Sequence, residues 1–203
     1  MTSPLVVRVL SLAAERIVVH DEVGSRSFNW LFESAAQGAS TLGALRGARV
    51  ALLASPGADW LASWFSVIFA GGAVVPLSPL YPPAELAWFA DDAGAEIAII
   101  SEDRAERGAL LARNRRVLSP RALLDRTASV VCSPGGAPDD VAMLLYTSGT
   151  TGKPKGARIT HANVAHQAAL LREAWRLEPD DRLLHALPLH HLHGLGISLL
   201  NVV

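Results

Sequence analysis

A run of eleven residues, from Tyr146 to Gly156, constrains this chain more than any other stretch. Its sequence, YTSGTTGKPKG, combines three glycines and four Ser or Thr hydroxyls with the only two lysines of the protein, Lys153 and Lys155. Glycine lets backbone N–H groups approach an anion, hydroxyls add donors, and an ammonium group adds mobile positive charge. The composition predicts a loop that binds a polyphosphate; the alternative is a solvated Gly/Ser/Thr turn.

The spacing within this run differs from that of a Walker P-loop. The Walker motif has the pattern G-x-x-x-x-G-K-[ST]. Here Gly149 and Gly152 are three residues apart, and Pro154 follows Lys153. Proline has no N–H to donate to a phosphate. A phosphotransferase of the Walker type is therefore excluded.

The same run resembles the phosphate loop of the adenylate-forming enzymes, which include acyl-CoA synthetases, luciferases and the adenylation domains of peptide synthetases. Residues 47–101 are also similar to the N-terminal core of that family, and LPLHHLHGLG, residues 187–196, resembles its next segment. The run LPLHHLHG is most similar to the malonyl-CoA synthetase branch. The resemblance covers nearly the whole chain and stops where the chain stops, well short of the usual family length.

The resemblance implies an α/β fold with a parallel or mixed sheet flanked by helices, as an incomplete N-terminal subdomain of an adenylate-forming enzyme. It implies one partial AMP-binding domain over residues 1–203, with a linker at 133–138 and no C-terminal lid. The implied activity is that of an AMP-forming acid–CoA ligase. A carboxylate attacks the α-phosphorus of ATP, giving an acyl-adenylate and pyrophosphate, and the CoA thiol then attacks the acyl carbon. The implied partners are ATP, Mg²⁺, CoA and a small carboxylic acid, malonate or another short acid.

The resemblance also assigns site residues. The residues that would wrap the β- and γ-phosphates are Thr147, Ser148, Gly149, Thr150, Thr151 and Gly152. Lys153 would add charge to the departing pyrophosphate, and Lys155 would either contact phosphate or solvate the end of the loop. His191 matches the histidine that lies beside the nucleotide and the acyl pocket, and it is the catalytic candidate.

Histidines form a second cluster, at positions 185, 190, 191 and 193. Neutral imidazoles this close in sequence could bind zinc, but no cysteine or carboxylate lies among them. We therefore predict no metal site within the chain. His20, His161, His166 and His185 are each predicted to lie on a helix surface or at a strand edge.

The family also uses groups for which this chain offers no candidate. They are a Tyr-Gly-x-Thr-Glu segment whose Glu holds Mg²⁺, an Asp for the ribose hydroxyls, and a lysine on the lid. We therefore expect the chain alone to be inactive, as an N-terminal fragment or as half of a split enzyme. Its apolar ending, HGLGISLLNVV, leads us to expect low solubility, self-association or dependence on a partner. The alternative is a non-catalytic module that binds nucleotide or pyrophosphate, or that pairs with a full-length relative.

The overall composition excludes several other classes of protein. Half of the residues are hydrophobic and the net charge is −1, so nothing indicates attraction to nucleic acid or to an anionic membrane. A single cysteine, Cys132, excludes an internal disulfide. The uncharged stretch between Asp59 and Glu85 is interrupted by Gly71, Gly72 and Pro76. We interpret it as a helix, a turn and a buried strand rather than a membrane span, and we expect a cytoplasmic protein.

Hydrophobic periodicity and Gly/Pro breaks predict alternating strands and helices. The predicted strands are a hairpin at 17–20 and 25–28, followed by 49–54, 73–77, 96–101, 115–118, 141–146, 157–160 and 182–187. The predicted helices are 29–45, capped by Asn29, then 58–70, 83–94, 102–113, 120–128, 161–175 and one beginning at His193. The order strand, helix, strand, helix, strand over residues 49–101 indicates a parallel α/β sheet.

Overall fold

The computed structural model describes residues 15–125, 136–147, 154–178 and 180–199. The strands in these ranges are β1 (Ile17–Asp21), β2 (Gly24–Ser27), β3 (Arg49–Leu53), β4 (Ala73–Pro76), β5 (Ile97–Ile100), β6 (Arg116–Leu118), β7 (Val141–Thr147) and β8 (Lys155–Thr160). The α-helices are α1 (Phe28–Leu42), α2 (Ala58–Phe69), α3 (Pro83–Asp92), α4 (Pro120–Leu123) and α5 (His161–Trp175). A 3₁₀ turn covers Glu102–Arg104, and a π-helix covers His193–Leu199.

Six strands form one mixed sheet in the order β6-β5-β3-β4-β7-β8. The first five strands of that order run parallel, and β8 pairs with β7 antiparallel. Strands β1 and β2 form a separate antiparallel hairpin. The predicted fold class, an α/β sheet of parallel or mixed strands flanked by helices, is confirmed.

The central strands are apolar on both sides because helices cover both faces of the sheet. Alternate residues of β3 enter two different clusters: Val50 and Leu52 pack toward α1 and α2, whereas Ala51 and Leu53 pack toward α3. The chain therefore crosses from β3 to β4 on one face and from β4 to β5 on the other. Such a reversal opens the carboxyl edge of the sheet to ligands.

Helix α2 is the most deeply buried of the described helices. Eleven of its twelve residues are buried, and the rings of Trp64 and Phe65 meet edge to face with centroids 5.0 Å apart. Among the helices of the described ranges, none combines the length and the apolar character needed to cross a bilayer. The apolar stretch is a core helix followed by a turn and by the buried strand β4.

The start of α1 corrects one sequence prediction. Ser27, not Asn29, is the N-cap, because its hydroxyl accepts a hydrogen bond from the Trp30 backbone N–H. Asn29 lies in the first turn of the helix and donates its side-chain amide to Glu33. The helix ends at Leu42 because Gly43 adopts a positive φ of 77°.

Two further predictions of secondary structure are wrong. Residues 102–113 form a short 3₁₀ turn followed by turns rather than a helix. The Asp103 carboxylate accepts hydrogen bonds from the Ser101 and Ser55 hydroxyls, and such side-chain bonds compete with a regular helix. Residues 182–187 form no strand, since no strand in the described ranges pairs with them. Instead, the His185 Nε2 atom lies 2.9 Å from the Gly194 carbonyl oxygen.

The other elements agree with the prediction to within a few residues. The helix expected at 120–128 ends at Leu123, and positions 126–128 lie outside the described residues. Positions 133–135 of the predicted linker also lie outside the described residues. At its described end, the Ala137 backbone N–H donates to Asp140 at 2.7 Å. The helix that begins at His193 is a π-helix, a type that the sequence pattern does not distinguish.

Candidate functional site

The β7–β8 hairpin carries the two ends of the glycine-rich loop. Thr147, the last residue of β7, lies opposite Lys155, the first residue of β8, and both are exposed. The intervening candidate residues lie outside the described residues: Ser148, Gly149, Thr150, Thr151, Gly152 and Lys153. Of the predicted phosphate-binding residues, the structure thus places Thr147 and Lys155, side by side at the mouth of the hairpin.

The loop leaves the sheet at a chemically favourable edge. Strand β7 runs parallel to β4, so the loop begins at the carboxyl end of the parallel strands. Ligands of open α/β sheets bind outside this edge, where backbone N–H groups and loop side chains converge. The hairpin therefore presents Thr147 and Lys155 at the edge where a nucleotide is expected.

Tyr146 anchors the loop-proximal end of β7. Its ring packs against Phe89 and Trp88, with centroids 4.7 Å and 6.0 Å away. Its hydroxyl donates a 2.6 Å hydrogen bond to Asp92 Oδ2. Burial raises the pKa of the Tyr146 hydroxyl, the hydrogen bond and the charge of Asp92 raise it further, and Arg49 partly opposes the shift. The phenol therefore remains a hydrogen-bond donor at neutral pH.

Gly156 is the cross-strand neighbour of Tyr146 and lies directly against its ring. A Cβ atom at position 156 would lie 3.2 Å from Tyr146 Cζ and 3.4 Å from its hydroxyl oxygen. That separation is tighter than ordinary van der Waals contact. The last glycine of the sequence run thus leaves room for the ring of Tyr146.

The histidine segment packs on the opposite face of β7. Leu189 and Leu195 belong to the same buried cluster as Met143 and Leu145. This cluster holds the segment against the strand that leads to the loop. The structure therefore places the segment that contains His191 and the side chain of Tyr146 on opposite faces of β7.

His191 is exposed, and its ring lies 4.3 Å from that of His190, centroid to centroid. Its backbone N–H donates to Pro188, and its carbonyl accepts from Leu195. Burial, together with the charge of the neighbouring His191, lowers the pKa of His190 to about 4. His190 is therefore neutral at pH 7, while the exposed ring of His191 is available to a ligand.

The histidines do not assemble into a metal site in the described part of the chain. Within the described ranges, no group of three or more His, Cys, Asp or Glu side chains is arranged to hold a metal ion. His185 instead interacts with a backbone carbonyl, and the rings of His190 and His191 contact each other in a tilted arrangement. These donors do not fit Mg²⁺ either, since that ion prefers carboxylate and phosphate oxygens.

His161 corrects the prediction of a surface position. It begins α5 and is only 1% exposed. Burial lowers the pKa of His161, and the Asp140 charge partly opposes this shift. His166 lies exposed on α5 as predicted, His20 lies exposed on β1 with Nδ1 2.7 Å from Ser25 Oγ, and His185 is half-buried outside any strand.

Sequence reasoning missed two features near the carboxyl edge. One is the contact between Tyr146 and Asp92, for which the only sequence signal is that a tyrosine immediately precedes the loop. The other is a cavity of about 520 Å³ between the β1–β2 hairpin and the end of β3. Its lining includes His20, Asp21, Ser55 and His185. No periodicity could join these positions, since they come from three distant segments.

Known proteins resemble this chain in sequence. Residues 9–203 match the family described as AMP-binding enzyme. The malonate–CoA ligase of Arabidopsis thaliana is 38% identical over 165 residues, covering 75% of this chain and 27% of that protein. The mitochondrial malonate–CoA ligase ACSF3 of Mus musculus is 32% identical over 212 residues, covering 97% of this chain and 36% of that protein.

Solved structures resemble the fold. ATP-bound MatB from Rhodopseudomonas palustris superposes with a TM-score of 0.87 at 32% identity, covering 100% of this chain and 43% of that one. The Bacillus subtilis o-succinylbenzoate CoA synthetase MenE, in complex with the acyl-adenylate intermediate OSB-AMP, gives 0.87 at 25% identity and covers 98% and 53%.

The chain spans about a third of the length of the curated relatives it matches. The match nevertheless extends over almost all of the present sequence, including the glycine-rich run and the histidine segment. The sheet, its helices and the β7–β8 hairpin agree with the resemblance inferred from the motifs. The chain belongs to the AMP-binding enzyme family, that of the adenylate-forming CoA ligases.

Proposed function

We propose that this chain is the ATP-binding part of an AMP-forming acid–CoA ligase. The observation that carries the proposal is the β7–β8 hairpin, which places the ends of a Gly/Ser/Thr/Lys run at the carboxyl edge of a parallel sheet. Exposed Thr147 and Lys155 face each other there, and the sequence between them supplies further hydroxyls, glycines and Lys153. This combination suits the triphosphate of ATP.

In this proposal the loop acts by electrostatic stabilisation. Backbone N–H groups and hydroxyls of residues 147–152 bind the β- and γ-phosphates. Lys153 stabilises the negative charge that develops on pyrophosphate as the acid attacks the α-phosphorus. Lys155, which begins β8 and points into solvent, contributes either a phosphate contact or positive charge at the end of the loop.

His191 is the proposed contact with the nucleotide and the acid. Its ring is exposed beside a neutral His190, so it can donate or accept a hydrogen bond. The acid is proposed to be malonate or another short carboxylic acid, because the relatives include proteins named malonate–CoA ligase. No residue of this chain is assigned to binding the second carboxylate of malonate.

Mg²⁺ and CoA complete the proposed reaction, but the described residues do not fit a metal ion. The carboxylate for the ribose and the lysine of a lid also have no candidate in these 203 residues. Turnover is accordingly proposed to need groups from outside them, supplied by further sequence or by a partner polypeptide.

A non-catalytic module is the second candidate function. It rests on Thr147 and Lys155 at the mouth of the hairpin, since binding a ligand there requires no further catalytic group. Such a module would bind nucleotide or pyrophosphate through the loop, or would pair with a full-length relative. It would do so without forming an acyl-adenylate.

Calorimetry with pyrophosphate and ATP tests the shared part of both candidates. Losing a charge-assisted contact costs about 1.5–3 kcal/mol, roughly a ten- to hundredfold loss of affinity. Lys153→Ala and Thr150→Ala should therefore weaken binding, while His166→Ala on the exposed face of α5 should not. Equal affinity in all four proteins, wild type included, would contradict the assignment of the loop.

ATP–pyrophosphate exchange separates the two candidates. Exchange that depends on malonate or another short acid supports the ligase and should decrease in His191→Ala but not in His166→Ala. The assay uses the chain joined with any partner half that restores full length. Nucleotide binding without exchange in that protein supports the module. Equal effects of the two histidine substitutions would remove the basis for assigning His191.

A further inference from the structure

We propose that the hydrogen bond from Tyr146 to Asp92 positions the phosphate loop, defined here as residues 147–153. On this view Tyr146 is a positioning residue: it sets the direction in which the chain leaves β7, and thereby the affinity of the loop for phosphates. The expected effect on phosphate affinity rests on the proposed function. The expected effect on the position of the loop rests on contacts among the residues that the structure describes.

The bond acts where backbone pairing of β7 to the rest of the sheet is sparse. The parallel pairing of β7 with β4 is at Met143 and Val74, three residues before Tyr146. Strand β4 ends at Pro76, which has no N–H to extend the ladder. Beyond that pair, the Tyr146 side chain ties β7 to the last residue of α3, Asp92, 54 positions away in sequence.

The same side chain contacts both strands that lead into the loop. Tyr146 belongs to β7, and its ring lies against Gly156 of β8. On its other side the ring packs on Phe89 and Trp88 of α3. The side chain of Tyr146 therefore connects both strands that flank the loop to helix α3.

The chemistry of the pair favours a role in orientation over one in stability. Asp92 is exposed, so its carboxylate becomes hydrated if the phenol is removed, and little desolvation cost remains. The hydroxyl stays protonated at neutral pH, because burial and Asp92 both raise the pKa of Tyr146. A charged acceptor with a neutral phenol donor gives a short, directional bond.

Removing only the hydroxyl tests the proposal. In Tyr146→Phe the ring and its packing remain, so we expect a shift in Tm no larger than that of Tyr81→Phe. Tyr81 is the matched control: it is the only other tyrosine, and its ring packs on Phe89 as well, 5.0 Å away. Amide hydrogen exchange at residues 148–153, measured without ligand, should accelerate about threefold or more in Tyr146→Phe only. Pyrophosphate affinity should fall by about three- to tenfold.

Substitutions at Asp92 provide an independent test. Asp92→Ala removes the acceptor and should reproduce the effects of Tyr146→Phe, whereas Asp92→Asn keeps an oxygen acceptor and should restore part of the wild-type behaviour. The double variant Tyr146→Phe, Asp92→Ala should match either single variant, because both remove the same bond. A purely structural role would instead move Tm and exchange throughout the sheet together.

Two results would overturn the proposal. One is loop exchange in Tyr146→Phe that equals exchange in Tyr81→Phe; the other is full additivity of the two substitutions. If the wild type binds neither pyrophosphate nor ATP, the proposed function fails. The exchange comparison then still decides whether the hydroxyl positions the loop.

Discussion

The centre of the sheet and its β7–β8 edge are held by different forces. Strands β3, β4 and β5 pair through regular parallel ladders and are buried under helices on both faces. Strand β8 is largely exposed, and its hairpin is tied to the body by side chains such as Tyr146. The centre and most of β7 therefore depend on apolar burial, whereas β8 and the residues that lead into the loop depend more on a few directional contacts.

This difference separates stability from ligand binding. Dispersion and hydrophobic burial hold the centre in one arrangement whatever is bound. At the edge, individual contacts such as the hydrogen bond from Tyr146 to Asp92 act next to the glycine-rich run. Substitutions in the centre should therefore reduce the free energy of unfolding, whereas substitutions at the edge should change affinity more than stability.

The largest expected effect is loss of a core ring. Trp64→Ala removes a side chain that is fully buried within α2 and should lower the free energy of unfolding by about 3–5 kcal/mol, because a cavity remains. Trp175→Ala is the control, since Trp175 ends α5 and is 51% exposed. Urea denaturation followed by circular dichroism measures both. A loss below about 1 kcal/mol for Trp64→Ala would contradict the buried position of α2.

Two glycines compare the centre with the edge directly. At Gly38 in α1, an added Cβ would lie 2.6 Å from Ser66 Cβ of α2, so Gly38→Ala forces two packed helices apart. We expect it to cost about 1–3 kcal/mol of stability, measured by the same denaturation. At Gly156 the neighbour is the Tyr146 ring at 3.2 Å, and Gly156→Ala should cost less, about 1 kcal/mol. The reverse order of the two effects would break the comparison.

Asp21 gives a smaller effect with a defined pH dependence. One carboxylate oxygen accepts from the Ala58 N–H at the start of α2, and the other accepts from Val23 and Gly24. Burial acts to raise the pKa of Asp21, but these hydrogen bonds and Arg26 outweigh it, and the pKa lies below its usual value. Asp21→Asn replaces one acceptor oxygen by an N–H₂ donor and should cost about 1 kcal/mol at pH 7.

The sign of the pH effect follows from linkage. Because the pKa of Asp21 is lower in the folded state, its contribution is complete above the unfolded-state pKa near 3.8 and is lost as pH falls through the folded-state value. The stability difference between wild type and Asp21→Asn should therefore be constant from pH 7 to about 5 and shrink toward pH 3. Glu22→Gln, at the adjacent exposed position, is the control. A difference that grows on acidification would contradict this account.

The smallest expected effect on stability is at His166. His166→Ala removes an exposed side chain from α5 and should change the free energy of unfolding by less than about 0.5 kcal/mol. His161→Ala, on the same helix but at a buried position, should cost several times more, because it leaves a cavity against Gly136. Equal Tm values for the two variants would show that burial of His161 contributes little.

Much of the fold could be predicted from local sequence. Strands β3, β4 and β5 are short apolar runs, and helices α2 and α3 are bounded by Gly71 and by Pro83. These signals act within a few residues, so they are visible without tertiary information. The same is true of the glycine-rich run, whose composition alone predicted an anion-binding loop.

The errors concern residues whose state depends on distant partners. Residues 182–187 have the apolar character of a strand, but a strand needs a neighbour, and none is provided in the described ranges. His161 has a polar side chain, yet the 136–140 segment covers it. Both Ser27 and Asn29 are residue types that cap helices. Ser27 is the N-cap of α1 because strand β2 ends there and the helix begins at the next residue.

The sequence by itself determined the alternating elements and the composition from which phosphate binding is proposed, because periodicity, glycine, proline and lysine act locally. Only the tertiary structure decided which distant side chains meet at the ends of these elements. Tyr146 meets Asp92 across 54 positions, and Asp21 meets Ala58 across 37. Such pairs form because the helices and the β1–β2 hairpin pack against the sheet and bring residues that are distant in sequence into contact. No local pattern encodes that proximity, since it depends on how the elements pack together.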